Sequence, residues 1–175
     1  MHGARELAWH YLKPRVREKD VVDLCCGDRW LEEKCRELPG PARPKTYRGF
    51  DLKEGWDALG ELGGCWNDVA WFDLAVTVYG FQHFMGKEAL AWLRLREVLG
   101  NARFVYVGRH LGRHSDRELQ RADPLNGYNL QGFMGLALAT GFEVVDFKTF
   151  AYVETAFRDA DEVEANAFAA TLRTR

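Results

Sequence analysis

What most constrains this chain is an alternation of strand-like and helix-like segments. Val21-Val22-Asp23-Leu24-Cys25, Thr46 to Phe50, Phe72 to Tyr79 and Arg103 to Gly108 are short, largely apolar runs of strand length. Arg29 to Leu38 and Lys87 to Leu99 carry helical periodicity between them. In the second helix Ala91, Trp92, Leu95, Val98 and Leu99 make one stripe, with Gly100 placed to end it. A strand returned to the same sheet through a helix runs parallel to its predecessor, and such sheets bury both faces. That pattern excludes a helical bundle and an antiparallel sandwich.

The remaining segments extend it. Residues 3–13 read as a helix with Ala4, Leu7, Ala8 and Tyr11 on one face, closed by Pro14, so that 1–14 form an N-terminal helical segment. Pro39-Gly40 stops the second helix, and a Pro-rich loop runs through Pro44. Between 53 and 70, Trp56 to Leu62 suits a short helix and Cys65 to Val69 a short strand. Residues 109–127 are polar, contain Pro124 and Gly127, and read as a long loop with at most a helical turn. Asn129 is placed to cap a helix striped by Leu130, Phe133, Met134, Ala137 and Leu138, with Gly141 after its end. Phe142 to Glu154 reads as a long strand, Arg158 to Asn166 as an acidic break and Ala167 to Arg173 as the last strand. No helix separates those two strands, so they pair antiparallel as a C-terminal hairpin. The expectation is a doubly wound α/β fold. Its sheet is mostly parallel and seven-stranded, or six-stranded if 65–69 form none, with helices on both faces. At 175 residues this is one domain, 1–175.

Composition narrows the function. A net charge of -2 argues against a nucleic-acid binder held by bulk charge, while leaving a local patch open. No apolar run is long enough to span a bilayer, and the first residues lack the apolar core of a signal peptide. Cys25, Cys26, Cys35 and Cys65 fit neither a zinc site nor a disulfide framework, so no metal is expected and reduced thiols in a cytoplasmic protein are the simplest reading.

In an open α/β sheet ligands bind outside the carboxyl ends of the strands. The first strand runs into Cys25-Cys26-Gly27-Asp28-Arg29-Trp30, where small residues let a ligand approach the backbone just ahead of a helix. The second strand ends in Asp51, 24 residues beyond Gly27. An acid at about this offset accepts hydrogen bonds from both ribose hydroxyls of a nucleoside. Taken alone, Asp51 would cap the next helix. The order strand, turn, helix, strand, acid favours the nucleoside.

These residues resemble the class I S-adenosylmethionine-dependent methyltransferases, and the resemblance runs over most of the chain. Val21 to Gly27 resembles the family's first motif, an acid followed by a Gly-x-Gly-x-Gly turn. Phe50-Asp51 is similar to its second-strand acid, and Phe72 to Val76 to its fourth strand. Leu99-Gly100 followed by Phe104 to Val107 is similar to the passage into the fifth strand, and Gly141 to Val145 to the entry of the sixth. Cys25 and Arg29 stand where the first and third glycines are expected, and only Gly27 is kept. The resemblance implies S-adenosylmethionine as cofactor and methyl transfer by in-line displacement, which needs positioning and sometimes a base. It implies that Asp23, Cys25 and Gly27 shape the cofactor turn and that Asp51 holds the ribose. It also implies that Asp68 contacts the adenine amino group, unless Asp68 is only a turn residue after Asn67. Arg29 either crowds the methionine end or reaches its carboxylate.

The acceptor side follows the fourth and fifth strands. Tyr79-Gly80-Phe81-Gln82-His83 leaves the fourth, and His83 has a pKa suited to base work near neutrality; Tyr79 is the second catalytic candidate and also a cofactor contact. The stretch lacks the Asp/Asn-Pro-Pro-aromatic motif of methyltransferases that act on exocyclic base amines. Trp30 resembles the end of the Gly-Gly-Trp motif of ribose 2′-O-methyltransferases, but the fifth strand offers no lysine. Arg109, Arg113, Arg117 and Arg121 would make one basic stripe on a helix, either a solvated face or a patch facing an anion or RNA. The expected activity is methyl transfer to an acceptor, a small molecule in preference to RNA or protein. The rivals are a catalytically inactive binding subunit of the same fold, an RNA or protein methyltransferase working with a partner, and a nicotinamide-dependent oxidoreductase. The last would need a Gly-x-Gly-x-x-Gly that is absent.

Overall fold

A computed structural model describes residues 3–51, 71–81, 87–110, 130–155 and 162–175. The elements are α1 (Ala4–Val16), β1 (Asp20–Leu24), α2 (Trp30–Glu37), a short 3-10 turn (Gly40–Ala42), β2 (Thr46–Phe50), β3 (Leu74–Val78), α3 (Glu88–Leu99), β4 (Arg103–His110), α4 (Leu130–Ala139), β5 (Phe142–Thr155) and β6 (Glu162–Thr174). The described strands form one mixed sheet in the order β2-β1-β3-β4-β6-β5. β1 pairs parallel with β2 on one side and with β3 on the other, and β3 pairs parallel with β4. β6 runs antiparallel between β4 and β5.

Period-two alternation divides the core between two faces. From β1, Val22 and Leu24 face α3 and α4, where they pack with Trp92, Leu95, Phe133 and Phe104. Val21 faces the other way, toward Leu12 and Val16 of α1 and Leu31 and Cys35 of α2. Helices therefore cover both sides, as the near-continuous apolar strands require. Trp92 centres the first layer, edge-on to Phe104, Phe133 and Phe142 at 5.4–5.6 Å between ring centroids.

Several boundaries differ from the sequence expectation. Pro14 does not close α1, which continues to Val16. Near a helix end a proline forfeits one backbone bond, and the fully buried Val16 outweighs it. The acidic break shrinks, because β6 begins at Glu162 and its ladder to β5 reaches Thr155. Ladder hydrogen bonds to an already formed strand do not depend on side-chain polarity. Arg109 and His110 belong to β4, paired with Ala167 and Asn166, so Arg109 cannot share a helical stripe with Arg113, Arg117 and Arg121. Those three arginines, most of the 109–127 loop, the Asn129 cap, and the helix and strand expected between 53 and 70 lie outside the described residues. Among the described residues no helix is long and apolar enough to cross a membrane.

Candidate functional site

β1 lies where the sheet order reverses, with β2 reached to one side and β3 to the other. At such a switch point the loops leaving neighbouring strands diverge and open a crevice at the carboxyl ends. Into this crevice run the exits of β1, β2 and β3, which carry Cys25, Gly27, Asp51 and Tyr79.

The β1 exit has an unusual backbone. Cys25, Gly27 and Arg29 all adopt left-handed conformations, with φ of +63°, +55° and +60°. Tyr79, leaving β3, does the same at +56°. Non-glycine residues pay about 1–2 kcal/mol each for this. Cys25 and Arg29, standing where the resemblance expects glycines, therefore keep a glycine-like conformation despite their side chains. The shape is held by hydrogen bonds. Cys26 N–H donates to Phe50 O at 3.1 Å, and Arg29 N–H to Cys26 O at 3.0 Å. Gly27 N–H donates to Asp51 Oδ2 at 2.9 Å. The acid ending β2 thus clasps the turn ending β1. A Cβ built on Gly27 meets no described residue within 4 Å, so among the described residues the turn borders open space at its middle residue.

Gly80 plays the opposite part. A Cβ there would come within 2.5 Å of Cys25 Cβ and 2.7 Å of Thr77 Oγ1, so only glycine lets the β3 exit close against the β1 exit. The sequence offered no sign of this contact, because the two residues are distant in the chain.

Asp23 is 3% exposed. Tyr47 O–H donates to its Oδ2 at 2.5 Å across the β1–β2 pair. Burial raises its pKa from 3.8 to about 7; the Tyr47 bond opposes this, and Asp51, Asp28 and Glu32 add to it. Burial and the neighbouring Asp23 push the Tyr47 hydroxyl far above its ordinary value. Burial likewise keeps the Cys25 thiol protonated and pushes Cys35 up to about 12, so neither is a ready nucleophile. Asp28, by contrast, is held low, chiefly by the Arg5 guanidinium. Arg5 reaches over from α1, bonds Asp28 Oδ2 at 2.7 Å and lies over the Trp30 ring at 5.7 Å. Arg5 and Tyr47 both join the site although neither was singled out from the sequence.

A cavity of about 30 Å³ opens beneath this turn, lined by Arg5, Asp23, Cys25, Cys26, Trp30 and Val78. A far larger one, about 630 Å³, opens at the amino ends of β3 and β4, bordered by Arg15, Arg17, Lys19, Asp73 and Arg103. It adjoins the carboxyl ends of α1 and α3, which attract cations to themselves. Size alone would choose it, but it lies at the far end of the sheet from the crevice. Among the described residues no group of three His, Cys, Asp or Glu side chains is placed to hold a metal ion.

Of the residues singled out from sequence, Asp23, Cys25, Gly27 and Asp51 converge at the carboxyl ends of β1 and β2. Tyr79 stands at the neighbouring strand end, but its ring packs toward the α1-side core and its hydroxyl is buried. Arg29 turns to Glu32, at 3.3 Å. Asp68 and His83 lie outside the described residues.

The chain resembles solved structures along nearly its whole length. One is a putative methyltransferase from Bacillus halodurans, with TM-score 0.68, 10% identity, and 98% of this chain and 99% of that one covered. The fold is that of the class I S-adenosylmethionine-dependent methyltransferases. An S-adenosylmethionine-dependent methyltransferase from Archaeoglobus fulgidus shares it, with TM-score 0.65 at 15% identity and coverage of 98% and 95%. So does a chain from the complex of the Haloferax volcanii Trm112 methyltransferase activator with a putative methyltransferase, with TM-score 0.62 at 11% identity and coverage of 98% and 93%. No protein-family model matches the chain, and no curated protein sequence does. Within this methyltransferase fold, the clasped turn at Gly27 occupies the switch point of the sheet.

Proposed function

We propose that this chain is an S-adenosylmethionine-dependent methyltransferase of one domain acting on a small-molecule acceptor. The observation that carries the reading is the β1 turn. It holds glycine-like conformations at Cys25 and Arg29, is clasped by Asp51, and borders open space at Gly27. Such strain persists where the surrounding structure requires it, and it clusters at ligand sites. The open space at Gly27 fits a ligand that runs close along the backbone.

Asp28, Asp51 and Glu32 are near enough to Asp23 to oppose its ionisation. Asp28 and Glu32 are paired with arginines, so Asp51 is the carboxylate that would face a ligand at the turn. Bound at this turn, S-adenosylmethionine would supply an electrophilic methyl group on a positive sulfur. The chain's own residues would bind and orient it. Gly27 offers a close backbone approach, and Asp51 takes the ribose hydroxyls while steadying the turn. Asp68 would reach the adenine amino group. Asp23 shapes the floor from below, with its pKa raised by burial to about 7 and its carboxyl fixed by Tyr47. For an acceptor that must lose a proton, His83 is the proposed base, and the buried, core-facing hydroxyl of Tyr79 does not suit that role.

The activator bound to the Haloferax neighbour gives a second reading, RNA or protein methylation with a partner subunit. One experiment tests both. Titration calorimetry with S-adenosylmethionine and S-adenosylhomocysteine should show binding, and tritium from the labelled cofactor should enter the small-molecule fraction of a cell extract. Label in RNA or protein would move the acceptor class. Absence of cofactor binding would leave an inactive member of the fold.

A further inference from the structure

We infer that the large cavity at the amino ends of β3 and β4 is a second ligand site, for a phosphate monoester with an apolar body. It lies at the opposite end of the sheet from the β1 turn and is independent of the cofactor reading. Its volume of about 630 Å³ is within the range of small-molecule sites. Phe72 and Leu99 give it an apolar wall, and four cations, Arg15, Arg17, Lys19 and Arg103, border it with one carboxylate, Asp73. Arg15 is already engaged: it donates to Tyr11 O at 2.6 Å and Thr171 Oγ1 at 3.2 Å, and it pairs with Asp146. Asp73 Oδ2 is tied to Asp20 N–H at 3.1 Å. Among the described residues Arg17, Lys19 and Arg103 have no ion-pair partner. Three cations set against Asp73 leave an excess of two positive charges. A phosphate monoester carries about -1.5 to -2 near neutrality, so one such group offsets that excess.

Cations also gather at helix carboxyl ends for a simpler reason, since the macrodipole is negative there. Here other groups fill that role. Arg15 meets the last turn of α1 through Tyr11 O, and Thr174 Oγ1 donates to Gly100 O at 2.7 Å at the end of α3. Arg17 and Lys19 lie beyond α1, and Arg103 opens β4, so none of the three belongs to a helical turn. The chain as a whole carries a net charge of -2, so the positive excess is local to this hollow. Like charges around one hollow repel, and an anion between them relieves the repulsion. A concave, partly apolar hollow suits a small ligand with an apolar body. A nucleic-acid backbone would instead need an extended basic groove to track along.

The test uses 1-naphthyl phosphate, which has both parts, beside inorganic phosphate and 1-naphthol, which have one each. By calorimetry on the full chain, 1-naphthyl phosphate should bind at least about tenfold more tightly than either half. Arg17→Gln, Lys19→Gln and Arg103→Gln should each weaken it by about tenfold, the lower end for a charged hydrogen bond because all three side chains are exposed. Asp73→Asn should tighten it, since the opposing charge goes while the amide oxygen still accepts Asp20 N–H. Asp51→Ala, at the other end of the sheet, should leave it unchanged. No binding by the wild type, or unchanged binding in all three cation variants, would overturn the inference. Equal affinity for 1-naphthyl phosphate and inorganic phosphate would overturn it as well, showing only a general attraction of anions to surface cations. Loss of binding in Asp51→Ala would place the ligand in the cofactor crevice instead. S-adenosylmethionine binding, measured separately, should be the same in the three cation variants as in the wild type, so a failure of the cofactor reading is seen on a different ligand. A thermal melt of each variant shows that the fold is kept.

Discussion

Replacing Asp23 by Asn should reshape the pH dependence of stability. Asp23 is almost fully buried, with a pKa raised from 3.8 to about 7. The folded protein therefore holds this proton more tightly than the unfolded chain. The stabilisation is fully present below a pH of about 4 and is lost as pH rises through about 7. At about 1.4 kcal/mol per tenfold change in acidity, the whole effect amounts to about 4 kcal/mol. Between a pH of about 5.5 and about 8.5 the share lost is about 2 kcal/mol, because part has already gone at the lower value. Asn matches protonated Asp in shape and accepts the Tyr47 O–H equally well, but it never ionises. Wild type and Asp23→Asn should therefore have similar stability below a pH of about 4 and diverge as pH rises, with the variant ahead by about 2 kcal/mol at a pH of about 5.5 and by about 4 kcal/mol at about 8.5. For a chain of this length the growth of that gap between the two pH values, about 2 kcal/mol, is about 4–8 °C in Tm. Urea denaturation of both proteins across the range, read by circular dichroism, measures the divergence while the other titrating groups cancel. Parallel stability curves would refute the raised pKa. A variant less stable throughout would show that the buried carboxyl carries a hydrogen bond that Asn cannot replace.

Three further outcomes test the site. Asp51→Ala should weaken S-adenosylmethionine by about 1.5–3 kcal/mol, since charged hydrogen bonds to the ribose are lost, and unchanged affinity by calorimetry would end the ribose assignment. Gly27→Val should keep a cooperative melt, because the added Cβ meets no described residue, with a cost of about 1–2 kcal/mol for its left-handed backbone; cofactor binding should vanish, and tight binding would sink the turn assignment. His83→Ala should lower kcat by about 10²- to 10⁴-fold with cofactor affinity kept, and should abolish the acid limb of the rate profile. Full turnover with the limb intact would pass the base role to His110 or Tyr128.

By itself, the sequence determined the parts of this protein that depend on neighbours along the chain. Apolar runs such as Val21 to Leu24 and Phe104 to Val107 are strands because both of their faces are buried. The stripe from Ala91 to Leu99 is a helix because it has one apolar face and Gly100 after it, with φ of +53°. Their alternation was enough for the parallel part of the sheet, and the missing helix before β6 was enough for the antiparallel pairing at the C-terminus. Gly27 and Asp51 were legible because their spacing follows from one strand–helix–strand unit. Tertiary structure decided what joins distant segments. The persistence of α1 past Pro14 depends on the burial of Val16, and the early start of β6 depends on β5 as a template. The Tyr47–Asp23 bond depends on β1–β2 register, and the need for glycine at 80 on contact with Cys25. The approach of Arg5 to Asp28 spans 23 residues and depends on how α1 packs. No local pattern encodes such contacts, because a side chain's partner across the fold is set by packing geometry and not by its distance along the chain.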